Sequence, residues 1–215
     1  MRDPAILDRA KVVFLNGFRR FDDRRRGFVR QLMRPGRTLV FAADDGLFGG
    51  ADVTGFSLKT EDGAFSHRTE PSLSIIDTII MRQFPTTDPP MDYRIGGPRI
   101  SIVGMPGVTA LSRYTSDGAI SIASRTDDGC RRIYVGEFAG LDAPTCLRIV
   151  REAGAYAPLD RTGLLVDMNG DFVSVHALKN GGFDFKLPFP CRVKNLKSGE
   201  FEDVRGGCFR LDVTA

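Results

Sequence analysis

The chain has 215 residues, of which 42% are hydrophobic and 27% charged, and its net charge is +3. This is the composition of an ordinary globular protein with one large domain, or with one medium and one small domain. No apolar run approaches the roughly 20 residues that cross a bilayer, and the start, MRDPAILDRAK, lacks the long apolar core of a secretory signal. We therefore expect a soluble protein without a membrane partner, cytoplasmic unless an export signal has been removed.

Residues 11–46 predict a strand, a helix and a second strand. Residues 12–15 and 39–43 are short apolar runs, and between them apolar residues recur every three to four positions in a charged segment, as in a helix with one buried stripe. Asp22 stands at the N-cap position, and Pro35-Gly36 ends the helix. A crossover of this length is right-handed, so the two strands should be parallel neighbours.

The middle of the chain predicts further strands and one more helix. Residues 100–104, 119–124 and 131–138 alternate as strands do, with turns at Asp117-Gly118 and Asp128-Gly129, and a helix is expected from about 142 to 154. Residues 75–81 predict another short strand. The expected fold class of residues 1–157 is α/β, with a mainly parallel, flavodoxin-like sheet flanked by helices.

The pattern changes after about residue 157. Asn169-Gly170 lies between two alternating runs, which is the strongest short signal for a β-hairpin. Short strands are also expected in FDFKLP, RVKNLKSG and CFRLDV. We therefore predict a small antiparallel β-sandwich module over residues 158–215.

Polar residues follow both strands of the first strand–helix–strand unit, at the edge where parallel sheets bind ligands. Asn16 follows the first strand, and Asp44-Asp45-Gly46 follows the second. Adjacent carboxylates there would shift each other's pKa, so Asp44 and Asp45 are candidates for an acid/base pair or, with Asn16, for ligand-binding groups. His176, on a predicted strand, is a candidate base. The alternative interpretations are a solvated turn, a local cap for Asn16 and a hydrogen-bonded strand histidine.

The cysteines do not predict a metal site. Cys130, Cys146, Cys191 and Cys208 are spaced by 16, 45 and 17 residues, which matches no CxxC pattern. We expect no bound metal and no cofactor. Buried free thiols are the favoured state, and a Cys191–Cys208 disulfide is the alternative for an exported protein.

Arginine is concentrated on and beside the first predicted helix. The residues are Arg19, Arg20, Arg24, Arg25, Arg26, Arg30, Arg34 and Arg37. One interpretation is a surface that binds polyanions. Because no interleaved aromatics or nucleic-acid motif accompany these arginines, we favour the solvated face of an amphipathic helix and do not expect a nucleic-acid partner.

Three stretches in this order resemble the non-catalytic part of certain large glycoside hydrolases: VVFLNGFRRFDDRRRGFVRQLMRPGRTLVFAADDG, YVGEFAGLDAPTCLRIVREAGA and MNGDFVSVHALKNGGFDFKLPFPCRVKNLKSGE. That part is a glutamine-amidotransferase-like α/β domain, of the β-galactosidase trimerisation type, followed by a small β-sandwich. The resemblance implies an amidotransferase-like domain that is incomplete at its N-terminus. Amidotransfer is not implied, because Ala43-Asp44-Asp45-Gly46 stands where amidotransferases carry their cysteine.

The expected function is therefore that of a non-catalytic accessory or oligomerisation portion of a glycoside hydrolase, with sister copies or a catalytic glycosidase domain as partners. The first alternative is a small hydrolase that uses Asp44 and Asp45 with a distant base such as His176. The second is an arginine-rich polyanion-binding module. Carbohydrate is a further candidate ligand of the C-terminal module, although the chain has no tryptophan, and Phe172, Phe183 and Phe185 alternate in a way that suits burial.

Overall fold

A computed structural model of the chain describes residues 7–43, 45–61, 67–69, 99–114, 117–136, 141, 143–159, 163–169, 172–178, 180–205 and 207–213. The chain divides into two compact units, Met1–Ala155 and Tyr156–Ala215. The expected strand at 75–81 lies outside the described residues.

In the described residues of the N-terminal unit, the structure has a mixed sheet and three helices. Its strands are β1 (Val12–Leu15), β2 (Thr38–Ala42), β3 (Leu58–Glu61), β4 (His67–Thr69), β5 (Arg99–Ile102), β6 (Thr109–Tyr114), β7 (Ile120–Asp127) and β8 (Cys130–Val135), and its helices are α1 (Asp23–Leu32), α2 (Ala51–Thr54) and α3 (Ala143–Glu152). The strand order is β1-β2-β8-β7-β5-β3, with β6 paired to β7 and β4 paired to β6.

The first strand–helix–strand unit forms as its sequence predicts. The side chain of Asp22 caps α1 by accepting a hydrogen bond from the backbone N–H of Arg25 at 2.8 Å. The helix buries Val29 and Leu32 against the sheet, and each such side chain contributes roughly 1.5–3 kcal/mol. β1 and β2 are parallel neighbours, so the predicted crossover is confirmed.

The prediction of a mainly parallel, flavodoxin-like α/β sheet is wrong. Within the ranges given above, the β1–β2 and β2–β8 pairs are the parallel ones. The other strand pairs among the described residues are antiparallel, and 45% of those residues lie in strands against 17% in helices. The physical reason is the connection between strands: β7 and β8 are joined by Asp128 and Gly129 alone, and a two-residue hairpin turn cannot return a strand in parallel.

Both faces of the sheet carry apolar clusters. On one face Val13, Leu15 and Leu39 pack with the α1 residues Val29 and Leu32. On the other face the buried side chains are Val40, Ile122, Ile133 and Val135, together with Ile149 of α3. Val13 and Leu15 of β1, two positions apart, share the first face, because successive side chains of a strand point to opposite faces.

The C-terminal unit is antiparallel, as expected. Its strands are β9 (Leu164–Asn169), β10 (Phe172–Ala177), β11 (Gly181–Lys186), β12 (Cys191–Lys194), β13 (Phe201–Val204) and β14 (Cys208–Val213). They pair as β9–β10, β11–β14 and β12–β13, and the predicted hairpin at Asn169 is confirmed by the register between Asn169 and Phe172.

One apolar cluster joins two of these small sheets. Leu164 of β9 and the fully buried Phe183 and Phe185 of β11 belong to it, with Val173 and Val175 of β10 packed at its margin. The predicted burial of Phe183 and Phe185 is therefore confirmed. Phe172 is 53% exposed, so the prediction that it is buried is wrong.

Candidate functional site

The parallel strands β1, β2 and β8 end at one edge of the N-terminal sheet. The residues that follow them are Asn16 after β1, Ala43 to Gly46 after β2, and Gly136 after β8. We call this the strand-end edge. It is the position where open parallel sheets place ligand and catalytic groups, and the sequence places Asn16, Asp44 and Asp45 there.

Asp45 is fully buried at this edge. One carboxylate oxygen accepts a hydrogen bond from the backbone N–H of Phe18 at 2.5 Å, and the other accepts from the backbone N–H of Ala42 at 3.0 Å. The side chain thus ties the loop after β1 to the end of β2. The solvated-turn interpretation is wrong for Asp45, and neither oxygen is open to a substrate in this arrangement.

The turn before Asp45 has a strained backbone that is held by a distant tyrosine. Ala43 has φ +51°, in the left-handed region that non-glycine residues rarely adopt. The hydroxyl oxygen of the buried Tyr134, on β8, lies 2.5 Å from the carbonyl oxygen of Ala43 and 2.9 Å from that of Asp45, so its single proton is shared between these two acceptors. The backbone N–H of Ala43 also donates a hydrogen bond to the carbonyl oxygen of Val135 at 2.7 Å, which further fixes the turn.

The exposed part of the strand-end edge contains an amide, a cation and an aromatic ring. Asn16 is exposed at the end of β1, and Phe48 is 51% exposed. The guanidinium of Arg19 lies 5.3 Å from the centre of the Phe48 ring. Of the predicted ligand residues, Asn16 and Asp45 share this edge but face solvent and interior respectively. Phe48 was not predicted as a surface residue, since an apolar residue in a glycine-rich loop carries no signal of its exposure.

Of the remaining catalytic candidates, one lies outside the described residues and the other belongs to the second compact unit. Asp44 lies outside the described residues. His176 is exposed on β10, opposite Leu165, and belongs to the C-terminal unit. An acid/base constellation would need a second titratable group beside Asp45, whereas the donors from Phe18 and Ala42 are backbone amides.

Arginines near α1 satisfy backbone carbonyls. The side chain of Arg37 is buried, and its guanidinium donates to the carbonyl oxygens of Leu7, Asp8, Ala10 and Leu32 at 2.8–3.2 Å. These bonds fasten the segment before β1 to the end of α1. The assignment of Arg37 to a solvated helix face is therefore wrong.

Other arginines of the patch bind the neighbouring short helix. Arg26 and Arg30 form ion pairs with Asp52 of α2 at 3.3 and 2.9 Å, and Arg26 also donates to the carbonyl oxygens of Phe21 and Gly49. Because these guanidinium groups have intramolecular partners, they offer a polyanion less than the sequence suggests.

Two more arginines close the opposite end of α2. Arg132 donates to the carbonyl of Val53 at 3.1 Å, and Arg125 donates to the carbonyl of Gly55 at 3.0 Å, which satisfies acceptors that a helix leaves open at its C-terminus. Both guanidinium groups also bind Asp127. Burial, with the positive charge of Arg125, lowers the pKa of Arg132. Helix α2 lies in a segment that the sequence predicts only as a loop.

A cavity of about 100 Å³ lies between α3 and the sheet. Its walls include Ile122, Ile133 and Ile149, and Glu152 at its rim accepts hydrogen bonds from Arg131 and Arg148, each at 2.6 Å. Burial raises the pKa of the Glu152 carboxyl, but the two arginines outweigh burial, so the pKa lies below its usual range. The arrangement is a largely apolar gap closed by ion pairs, and buried Thr145 is also on its walls.

No group of three or more His, Cys, Asp or Glu side chains is placed to hold a metal ion in the part of the chain that the structure describes. The four cysteines are free thiols. The prediction that these thiols are buried holds for Cys130 but is wrong for the others. Cys146 and Cys191 are half-buried, and Cys208 is exposed. Among the described helices none has the length and apolarity needed to span a membrane.

No family model and no curated protein sequence matches the chain. Solved structures do match it. The GH42 β-galactosidase Gan42B from G. stearothermophilus has a TM-score of 0.56 and 13% identity, and the match covers 96% of this chain and 31% of that one. The cold-adapted β-galactosidase from Rahnella sp. R3 has a TM-score of 0.55 and 13% identity, with 93% of this chain and 32% of that one covered, and the β-galactosidase from the haloarchaeon Halorubrum lacusprofundi has a TM-score of 0.56 and 13% identity, with 94% and 31% covered. The chain thus spans about a third of the length of these proteins, and the likeness at this identity is one of fold: a glycoside-hydrolase-like fold that corresponds to part of a GH42 β-galactosidase.

Proposed function

We propose that the chain is a non-catalytic accessory and assembly portion of a glycoside hydrolase, of the β-galactosidase trimerisation type. The observation that carries the proposal is the match of 93–96% of this chain to only 31–32% of three β-galactosidases. A match to about a third of each β-galactosidase supports an accessory portion of such an enzyme.

The strand-end edge supports a structural role. The two carboxylate oxygens of the buried Asp45 accept hydrogen bonds from the backbone amides of Phe18 and Ala42. Tyr134 uses its hydroxyl to hold the same turn. Groups that are fixed in this way stabilise the loops and do not transfer protons to a substrate.

Exposed apolar side chains support a role in assembly. Among the described residues of the C-terminal unit, the exposed large apolar side chains are Tyr156, Leu165, Phe172, Leu178, Phe189, Leu196 and Phe201. In the N-terminal unit, Phe14 and Phe48 are 43% and 51% exposed. Apolar surface of this kind is often covered by sister subunits or by another domain.

The test is the solution mass of the chain, measured by light scattering across a dilution series. The assembly role predicts a stable multiple of the 23.6 kDa of one chain. A monomer at every concentration would contradict self-association and leave a separate catalytic polypeptide as the partner to be tested by co-expression. Hydrolysis of an aryl galactoside by the chain, abolished by Asp45→Asn in a folded variant, would contradict the non-catalytic role and support the hydrolase alternative.

A further inference from the structure

The two compact units are joined by a short connection whose N-terminal side is fixed to helix α3. Gly154, with φ +62°, donates its backbone N–H to the carbonyl of Arg151 at 2.8 Å, and the N–H of Ala155 donates to the carbonyl of Val150 at 3.0 Å. This pair of bonds is a Schellman motif. The ammonium of Lys11 also donates to the carbonyl oxygen of Gly154 at 2.7 Å. The chain is therefore held in the N-terminal unit as far as the backbone nitrogen of Ala155.

The C-terminal side of the connection is fixed to strand β11. The backbone N–H of Lys186 donates to the carbonyl of Pro158 at 2.6 Å, and the buried Leu159 forms an antiparallel bridge with Phe185. Tyr156 reaches the same strand with its side chain, since its hydroxyl donates to the carbonyl oxygen of Lys186 at 2.5 Å. The backbone from Pro158 onwards is thus part of the C-terminal unit, and the ring of Tyr156 is tied to that unit ahead of it.

Few backbone rotations remain between these two anchors. Pro158 restricts the residue before it, Ala157, to extended conformations. The hinges of multidomain proteins consist of a few residues at the ends of elements that absorb changes in φ and ψ. Ala155 and Tyr156 are in this position, directly after the end of α3. A connection this short permits a swivel, in contrast to the random-coil behaviour of a long linker rich in glycine and serine.

We propose that Ala155 and Tyr156 form a hinge between the two units and that the Tyr156 hydroxyl restrains it. While the hydroxyl is bonded to Lys186, Tyr156 is fixed to the C-terminal unit, and rotation is confined to the backbone of Ala155 and the N–Cα bond of Tyr156. When that bond breaks, ψ of Tyr156 and φ of Ala157 add to the rotation. One hydrogen bond therefore sets the length of the hinge.

The hinge goes beyond the proposed assembly role and does not depend on it. Relative motion is the default expectation for domains that are joined by a linker. A restrained swivel would let the C-terminal unit turn towards a partner through a limited range, while the N-terminal unit keeps its own contacts. The restraint acts within one chain, so it exists in a monomer and in an assembly alike.

The experiment measures the distribution of distances between two nitroxide labels by pulsed electron paramagnetic resonance. One label is on the exposed Cys208 of the C-terminal unit and the other on Arg24→Cys of α1, at an exposed position. Cys146 and Cys191 are replaced by serine, and the buried Cys130 is left in place. The labelled protein is diluted into a large excess of unlabelled protein, so that distances between chains do not contribute.

Tyr156→Phe removes the hydroxyl alone, and we expect it to widen the distance distribution about twofold. The matched control is Lys11→Met, which removes a comparable bond from a side chain to a carbonyl, but inside the N-terminal unit. This variant should keep the width of the wild type, because the backbone bonds of Gly154 and Ala155 remain. A Tyr156→Phe distribution as narrow as that of the wild type would overturn the restraint.

A third variant tests the hinge itself. Two glycines inserted between Ala155 and Tyr156 lengthen the connection and should give the widest distribution of the series. If the insertion leaves the distribution as narrow as in the wild type, the connection does not control the orientation of the units and the hinge is refuted. If the wild type is already as wide as the insertion variant, the restraint by Tyr156 is refuted. Light scattering of the same samples reports assembly separately, so neither result decides the proposed function.

Discussion

The carboxylate of Asp45 accepts a hydrogen bond from the backbone N–H of Phe18, 27 residues earlier, across 2.5 Å. With its second bond, to Ala42, it joins the ends of two parallel strands from inside the protein. Loops at such an edge are where binding and catalysis usually evolve, and here they are fixed by a buried charge.

Asp45→Asn should destabilise the protein. The asparagine keeps one acceptor oxygen but turns its NH₂ group towards the other backbone N–H, so one buried donor loses its partner. We expect the free energy of unfolding, measured by urea denaturation, to fall by about 2–3 kcal/mol. The control is Asp52→Asn on the surface, where loss of the pairs with Arg26 and Arg30 should cost about 0.5–1 kcal/mol. Equal losses in the two variants would mean that the bonds of Asp45 are not structural.

Gly55→Ala and Gly107→Ala should separate packing from backbone strain. Both glycines have φ near +80°, but a Cβ at Gly55 would lie 2.7 Å from Cζ of Arg132, whereas a Cβ at Gly107 would meet nothing within 4 Å. Gly107→Ala should cost about 1 kcal/mol, from the backbone conformation alone. Gly55→Ala should cost roughly 2–3 kcal/mol in the same denaturation experiment, since the side chain also displaces the arginines that close α2.

If Gly55→Ala costs no more than Gly107→Ala, the arginines Arg125 and Arg132 can move aside freely. The two guanidinium groups would then not be held by Val53, Gly55 and Asp127 as the structure has them.

Glu152 should contribute to stability in a pH-dependent way. Its arginine partners lower its pKa in the folded state below the usual value of about 4.5. A carboxyl with a lowered folded-state pKa stabilises the protein fully above the pKa of the unfolded chain, and this contribution is lost as pH falls through the folded-state pKa. The stability difference between wild type and Glu152→Gln should therefore be constant near neutral pH and shrink below pH 4.5.

The measurement for Glu152 is urea denaturation of both proteins from pH 7 to pH 3. Glu200→Gln, at an exposed turn, controls for the change in net charge. A stability difference that grows on acidification would contradict the sign derived from the ion pairs with Arg131 and Arg148.

The four thiols should react with iodoacetamide in the order of their exposure. Cys208 should react first, Cys146 and Cys191 more slowly, and Cys130 last, because Cys130 is buried and burial raises its pKa, which leaves less of the reactive thiolate. Mass spectrometry of digested samples reads the order. If Cys191 and Cys208 react only after reduction, a disulfide joins them, which would support export.

The local parts of the fold could be predicted from the sequence because their signals are local. The N-cap at Asp22 and the crossover between β1 and β2 depend on residues a few positions apart. The hairpin at Asn169 depends on a single dipeptide. Each of these elements forms where the sequence predicts it.

The expectation of a mainly parallel sheet is wrong because the first strand–helix–strand unit is not typical of the whole sheet. The sequence Asp128-Gly129 is itself a signal for a hairpin, and therefore for antiparallel strands. In the structure these residues have φ values of 49° and 74°, as in a tight hairpin turn. The pairing of β3 with β5, in contrast, depends on contacts between segments about 40 residues apart and has no local signal.

The role of Asp45 could not be predicted for the same reason. A sequence that reads Asp-Asp-Gly after a strand is typical of a solvated turn. Its inward orientation depends on Tyr134, whose hydroxyl reaches the carbonyl of Ala43 from 91 positions away. Only the folded sheet brings β8 beside that turn.

Arg37, with its four carbonyl acceptors, shows a use of arginine that does not depend on ion pairing. Of the 30 basic residues 24 are arginine, and a lysine ammonium has three donors where the planar guanidinium has five in a fixed fork. A lysine at position 37 could not reach Leu7, Asp8, Ala10 and Leu32 together. A chain with Arg37 exchanged for lysine would keep its charge of +3 and lose most of these bonds, so the arginine at this position joins the segment before β1 to the end of α1 rather than supplying charge.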